Sequence, residues 1–535
     1  MAETHTPSSK SIEVPESSIS RNSENNDGAR DVVTTNISGH VQELDRQFGL
    51  WSICATGIVT GNTWTAIGGA IVVAIYNGGP PGVLYEFIVV SICYWFVGAS
   101  IAELSSAIPA SGGVYHWATV AAGPRAGRVC GWFAGWWNLL AWIFGASANA
   151  AIIGNGVLYC YQLYHPGFEV QRWQVFIVYQ IMTWSCCCIV LFCHRALPTI
   201  NRAGSFFMLA GVVVTVLVCA IMPFYNGKGH ASNSFVWKDW SNGTGYSSSG
   251  VVFLTGMLNG AFAVGTPDCL THLAEEVPRP SSNIPKAILA QIVMGFITGM
   301  IYMITIFYSI NDLQGLFESN SVFPLGNIYH QATGSRGGAV GLVIVILLPI
   351  VAASIGCYTT AGRMLWTLAR DGATPGSKSV GAISPRFKNP FVSTLVCGVV
   401  SCVMGGIYVA STAAFNAFIG AFVILSTASF LAALIPHVLS RRSNIKPGVF
   451  WMKGWIGYAV NIIACVYMAV FMVIYCFPYT MPVDAEGMNY ASLVTGGLTI
   501  FVGIWWFIGQ KNYVGPKVIV DAVAPEMVDD YRGKA

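Results

Sequence analysis

Pro267 and Asp268 close an apolar run, VVFLTGMLNGAFAVGTPD from Val251, that is interrupted by Gly256, Gly260 and Gly265. The chemistry these residues offer is binding rather than bond-making. Proline removes a backbone donor and clashes with the preceding turn. A carboxylate near the middle of a bilayer costs about 2.5–3.5 kcal/mol on insertion scales. Broken backbone at membrane depth persists only where protein buries it or water reaches it. The stretch Val251–Ile288 therefore predicts a cavity. Asp268 has two roles open there, as a cation partner or proton carrier, or as a carboxylate that holds the backbone freed by Pro267.

A second stretch matches it. Thr56-Gly57 and Gly61 in TGIVTGNTW mirror Thr255-Gly256 and Gly260 in TGMLNGAFAVG. Where a helix breaks, free N–H groups carry partial positive charge and free C=O groups partial negative charge. A zwitterion fits such a pair of breaks. Its carboxylate would meet the N–H groups near Thr60, Gly61, Asn62 and Thr63, and its ammonium the carbonyls near Phe262, Ala263, Val264 and Gly265. Trp64 and Phe262 offer ring faces that attract a quaternary ammonium, with packing as their competing role. Asn138, Trp142, Ser354 and Tyr358 are further candidates for lining. For the glycines alone, close helix packing is the competing explanation.

These stretches must be positioned by membrane helices. The 535 residues are 54% hydrophobic and 10% charged, with mean hydropathy +0.59. About twelve apolar spans are long enough to cross a bilayer, at 48–76, 83–107, 128–156, 174–193, 203–224, 251–272, 286–310, 338–368, 391–411, 414–436, 456–477 and 492–510. The two glycine-interrupted spans stand five apart, the pattern of an inverted-repeat transporter whose site lies at the paired breaks. Five-plus-five repeats and two further helices use all twelve. The expected organisation is a disordered cytoplasmic tail over 1–47, a transmembrane domain over 48–510, and a short cytoplasmic tail over 511–535.

Charge orients the chain. With the N-terminus cytoplasmic, fifteen Lys and Arg between Arg125 and Lys453 fall on that side, against Arg172, Lys228, Lys238 and Arg336 on the other. That asymmetry places both termini inside. The sequon Asn242-Gly243-Thr244 then falls outside, as a glycosylation acceptor must. A net charge of +3 is small, and no nucleic-acid partner is expected. The fifteen cysteines lie mostly in apolar spans without the spacing of a zinc site, and read as small packing residues. Walker, HExxH and GxSxG patterns are missing from the sequence, so the reading is neither an enzyme nor a pump driven by ATP, with no metal or cofactor.

Three segments carry a family resemblance. Asp268, His272, Glu275, Glu276 and Pro278, followed by Ile284-Pro285-Lys286-Ala287, resemble a signature of the amino acid/polyamine/organocation superfamily, and more narrowly its fungal amino acid/choline permease branch. Glu103-Leu104-Ser105-Ser106-Ala107-Ile108-Pro109 with Gly112-Gly113-Val114-Tyr115 and Trp117 resembles a second. Gly362-Arg363 with Ala369-Arg370-Asp371-Gly372 and Pro375 resembles a third. The resemblance covers about residues 45–510. It implies the leucine-transporter-type arrangement with helices 1 and 6 broken, and a secondary-active permease for an amino acid, GABA, choline, a polyamine or a related amino compound. It also implies alternating access with a proton as coupling ion, in the plasma membrane. Glu103, Glu275 and Glu276 lie nearer the cytoplasmic ends of their helices, where gating contacts with Arg125, Arg279 or Arg363 are expected. The alternatives are exchange or export across an internal membrane, and a sensor that binds without transporting.

Overall fold

Asn62 breaks the first span. In the structure, a computed structural model that describes residues 40 and 42–516 apart from 320, 412 and 486, the helix Leu50–Gly61 ends at Asn62, whose φ of 34° and ψ of 33° are left-handed. Asparagine tolerates that conformation better than most residues. The amides of Thr65 and Ala66 then bond the Asn62 carbonyl, and the chain restarts as Thr63–Gly69 and Ile71–Ile75.

The sixth span breaks likewise. Its helix Ser249–Val264 stops three residues before Pro267 and resumes as a 3-10 turn, Thr271–Glu276. Hydropathy carries the span to 272 because apolar residues continue through the break; the observed helix ends eight residues earlier, where backbone chemistry and not hydrophobicity decides.

Among the described residues, ten helices are long and apolar enough to cross a bilayer, and these are the other ten of the expected twelve. The second is Gly79–Ala107, the third Gly123–Tyr164, the fourth Arg172–Phe192 and the fifth Leu197–Tyr225. The seventh is Pro280–Tyr308, the eighth Arg336–Arg370, the ninth Phe391–Ala410 and the tenth Ala414–Leu439. Gly454–Ile474 and Ala491–Gly509 complete the set. The third exceeds its expected limits of 128–156: its 42 residues run about 63 Å at 1.5 Å each, twice a hydrocarbon core of roughly 30 Å.

All described residues belong to one unit. The third span packs on the eighth and tenth, the first on the fifth, seventh and eighth, and the sixth on the second. Gly356 lets the eighth approach the first break, since a Cβ there would lie 2.2 Å from Thr60 Oγ1. At one end of the bundle, strand β1 (Asn77–Gly78) pairs antiparallel with β2 (Ser241–Asn242) and ties the end of the first span to the entry of the sixth. The other end holds the connection Val114–Ala121 and most of the loop arginines and lysines. We call these the hairpin end and the basic end. Of the expected tails, residues 1–39, 41 and 517–535 lie outside the described residues.

Candidate functional site

The two breaks converge. Thr63 and Val264 line one small cavity, of ≈ 10 Å³, with Ser91, Tyr94, Gln291 and Phe296. Thr63 opens a helix whose first-turn N–H groups have no partner within it, and Val264 closes one whose last carbonyls have none. Opposite partial charges therefore meet at mid-bundle, the arrangement that holds the two ends of a zwitterion. Gln291, which the motifs did not single out, bridges them. Its Nε2 donates to the Thr266 carbonyl and hydroxyl, each at 3.0 Å. A Cβ on Gly61 would lie 2.9 Å from the same nitrogen. The available signal was a lone amide inside an apolar span.

Asn62 Nδ2 donates to Asn149 Oδ1 at 3.5 Å, and Asn149 in turn to Cys357 Sγ at 3.7 Å, which links the first, third and eighth spans. The Thr60 hydroxyl is buried with no hydrogen-bond partner among the described residues. Gly265 sits between Phe422 and the Tyr94 hydroxyl, 3.4 and 3.5 Å from where its Cβ would be. Phe422 also meets the rings of Phe262 at 5.6 Å and Trp142 at 5.9 Å, while Ala263 is fully buried behind them. Trp64 is placed differently. Its indole donates to the Met208 carbonyl at 3.2 Å and its ring packs on Tyr302 at 5.1 Å, so it braces the break against the fifth and seventh spans.

Asp268 is 1% exposed. Its Oδ2 accepts from Asn138 at 2.7 Å and Trp142 at 3.1 Å and lies 3.3 Å from His272 Nε2, whereas Oδ1 has no hydrogen-bond partner among the described residues. Two donors on one oxygen fix the carboxylate and leave the other as an acceptor. These partners are all side chains, and among the described residues the carboxylate takes no hydrogen bond from the backbone freed by Pro267. Of the other lining candidates, Ser354 bonds back to its own helix at Ile350, and the Tyr358 hydroxyl is buried and unpartnered among the described residues.

The glutamates gather at the basic end, with partners that only Arg363 had been expected to supply. Glu276 pairs with the Arg363 Nε, and both are fully buried. The same glutamate accepts from Gln47 at 3.0 Å and its carbonyl accepts the Phe48 amide. Glu275 takes Arg370 at 3.1 Å. Glu103 takes Arg442 at 2.8 Å, His437 at 3.3 Å and the Met452 amide at 3.1 Å. Arg125 and Arg279 make none of these pairs. Glu103 therefore anchors the turn between the tenth and eleventh spans, while Glu275 and Glu276 close the chain beneath the sixth-span break.

His116 is buried in the same region, near Asp371, Arg370, His40 and His272, and burial pushes its imidazole from the ordinary 6.5 down to about 4. The folded form is the neutral one. Its contribution to stability is therefore intact above pH 6.5 and declines as pH falls from there towards 4. Thermal unfolding across that range should show this decline, and His116→Gln should flatten it; an equal slope in the variant would show that other groups carry the effect.

At the hairpin end Asn242 is exposed. Its Oδ1 accepts from the Thr244 hydroxyl at 2.7 Å and its Nδ2 donates to the Tyr246 carbonyl at 2.7 Å.

Comparison with known proteins places the sequence in a family. Residues 48–499 match the profile of a family described as amino acid permease. A choline transporter of Saccharomyces cerevisiae is 30% identical over 476 residues, covering 88% of this chain and 83% of the relative. A swainsonine transporter of Arthroderma benhamiae is 30% identical over 497 residues, covering 90% and 95%. A polyamine transporter of Saccharomyces cerevisiae is 26% identical over 451 residues, covering 83% and 72%.

Proposed function

This chain belongs to the amino acid permease family, and from that premise we propose that it moves a small amino compound by proton symport and alternating access. It is a multi-pass membrane transporter and not an enzyme. The observation that carries the substrate reading is the meeting of the Thr63 helix start and the Val264 helix end on one cavity. An ammonium is held at the carbonyls of Phe262, Ala263, Val264 and Gly265, with Asp268 behind them. A carboxylate, where the substrate has one, is held at the N–H groups that open the Thr63 helix, those of Thr63 and Trp64, beside Thr60, Gly61 and Asn62. Phe262, joined by Phe422, covers the ammonium. The relatives named for choline and polyamines support an amino compound as substrate. In this reading Asp268 serves coupling, Glu275 and Glu276 gate the basic end, and Glu103 holds the frame of that gate.

The membrane reading follows from charge. The basic end faces the cytoplasm, which puts both termini there, with the permease domain over 48–510 between tails at 1–47 and 511–535, and the plasma membrane as the site of uptake. Asn242 then faces outward and is a glycosylation site. Expressed in a glycosylating host, the protein should gain mobility on gels after amidase treatment, and Asn242→Gln should remove the difference. A glycan on another residue, or none, counts against the outward assignment of that end.

The function is tested by uptake into vesicles of reconstituted protein, with labelled choline, GABA, standard amino acids and polyamines, with and without an inward proton gradient. Gradient-stimulated uptake of one compound is expected. Uptake indifferent to the gradient would contradict symport and indicate exchange.

A further inference from the structure

The second span carries a carboxyl that the paired breaks do not use. Glu86 is 2% exposed, and both its oxygens are buried with no hydrogen-bond partner among the described residues. It stands two turns inside Gly79–Ala107 from the hairpin end. Gly256 of the sixth span faces it so closely that a Cβ there would lie 2.2 Å from Glu86 Oε1. The surrounding cavity, of only ≈ 10 Å³, is lined by Ile67 and Ala74 of the first span, Asn259 and Gly260 of the sixth and Met303 of the seventh. None of these is titratable. Beyond Gly256 and Asn259 lies the phenol of Tyr475, from the end of the eleventh span.

The polar groups continue inward from Tyr475. Its hydroxyl is 3.1 Å from that of Tyr467, whose ring meets Tyr94 at 5.8 Å. Tyr94 stands beside Gly265 at the sixth-span break. Outward, Gly256, Asn259 and Tyr475 also line a small cleft with Asn77, Thr255 and Asn489 at the hairpin end. Glu86 thus lies next to that cleft, across Gly256.

An ionised carboxylate in this setting, without donor or counter-charge, costs several kcal/mol, whereas a carboxylic acid avoids that penalty. Separation of Ser249–Val264 from the second span would admit water to Glu86 and remove the penalty. Closure of that half-helix and protonation of the carboxyl therefore favour one another. We propose that Glu86 binds the proton of the transport cycle, loaded from the hairpin side. One O–H bond forms on Glu86 as the proton enters and the same bond breaks as it leaves, and no other bond changes. The proposal rests on the symport reading and adds to it the residue that binds the ion.

Two measurements on the full-length protein test it. Infrared spectra at neutral pH should show the carbonyl stretch of a buried protonated carboxyl, displaced in Glu86→Asp and lost in Glu86→Gln. In vesicles, with choline or whichever compound of the panel the wild type carries as probe, Glu86→Gln should lose stimulation by a proton gradient and Glu86→Asp should retain it. Elution and unfolding temperature like those of the wild type establish that the variants are folded. A band that survives Glu86→Gln, or a gradient response that Glu86→Gln leaves whole, overturns the assignment of Glu86 alone. A wild type that ignores the gradient removes symport itself, and the role of Glu86 with it.

Discussion

Arg363→Ala is expected to destabilise the folded chain by about 3–5 kcal/mol, because removal of one partner from a buried ion pair leaves the other charge uncompensated. Arg363 and Glu276 are both fully buried, and the guanidinium also donates to the Thr359 carbonyl at 3.3 Å. Glu276 keeps Gln47 at 3.0 Å after the change, but a neutral amide does not replace a cation. The double variant Arg363→Met with Glu276→Gln should recover most of the loss, since apolar or neutral replacements of a buried pair are often close to neutral. Denaturation of the purified protein checks both. A double variant as unstable as Arg363→Ala would show that packing around the guanidinium, and not the orphaned charge, sets the cost. The same double variant should fold and yet transport poorly, because the pair holds the eighth span to the segment below the sixth-span break.

Asp268→Asn should abolish gradient-driven transport while the protein stays folded. The amide matches the carboxylate in shape and keeps an oxygen for the donors of Asn138 and Trp142, so most of the local network survives. It lacks the charge that faces an ammonium and the ability to release a proton at neutral pH. Asp268→Ala should also lose stability, by about 1–3 kcal/mol for each buried donor left unpaired. If Asp268→Asn carried substrate at the wild-type rate under a gradient, the carboxylate would be a brace for the third span and nothing more.

The positions of the breaks could be read from the sequence because each rests on local backbone chemistry. Gly61 with Asn62, and Gly265 with Pro267, are residues that a straight lipid-facing helix has no use for, and the helices do end at Gly61 and Val264. What depends on distant parts of the chain could not be read. Glu103 finds the Met452 amide, 349 positions away, because the turn after the tenth span folds back beneath the second; no motif spacing encodes that return. Trp64 and Phe262 have the same aromatic character in the sequence, yet the fold turns one towards Met208 and the other towards Phe422. The length of the third span was hidden for another reason: hydropathy reports where a helix is apolar, and Gly123–Tyr164 continues as a helix beyond its apolar stretch. Glu86 differs from all of these. A carboxylate within the expected span 83–107 is by itself a signal of function, and Glu86, unlike Glu103 of the same span, lies outside the three family signatures.

In the proposed function one site, formed where the two broken helices meet, carries its ligand across the membrane. Counterflow tests it most directly: vesicles containing the reconstituted protein are loaded with an unlabelled amino compound, and a trace of the same compound, labelled, is added outside. The wild type should accumulate label transiently against its gradient, and Gly61→Val, whose side chain would collide with Gln291, should not. Saturable binding of the compound without any accumulation of label by folded wild-type protein would contradict the account and leave a sensor in place of a carrier.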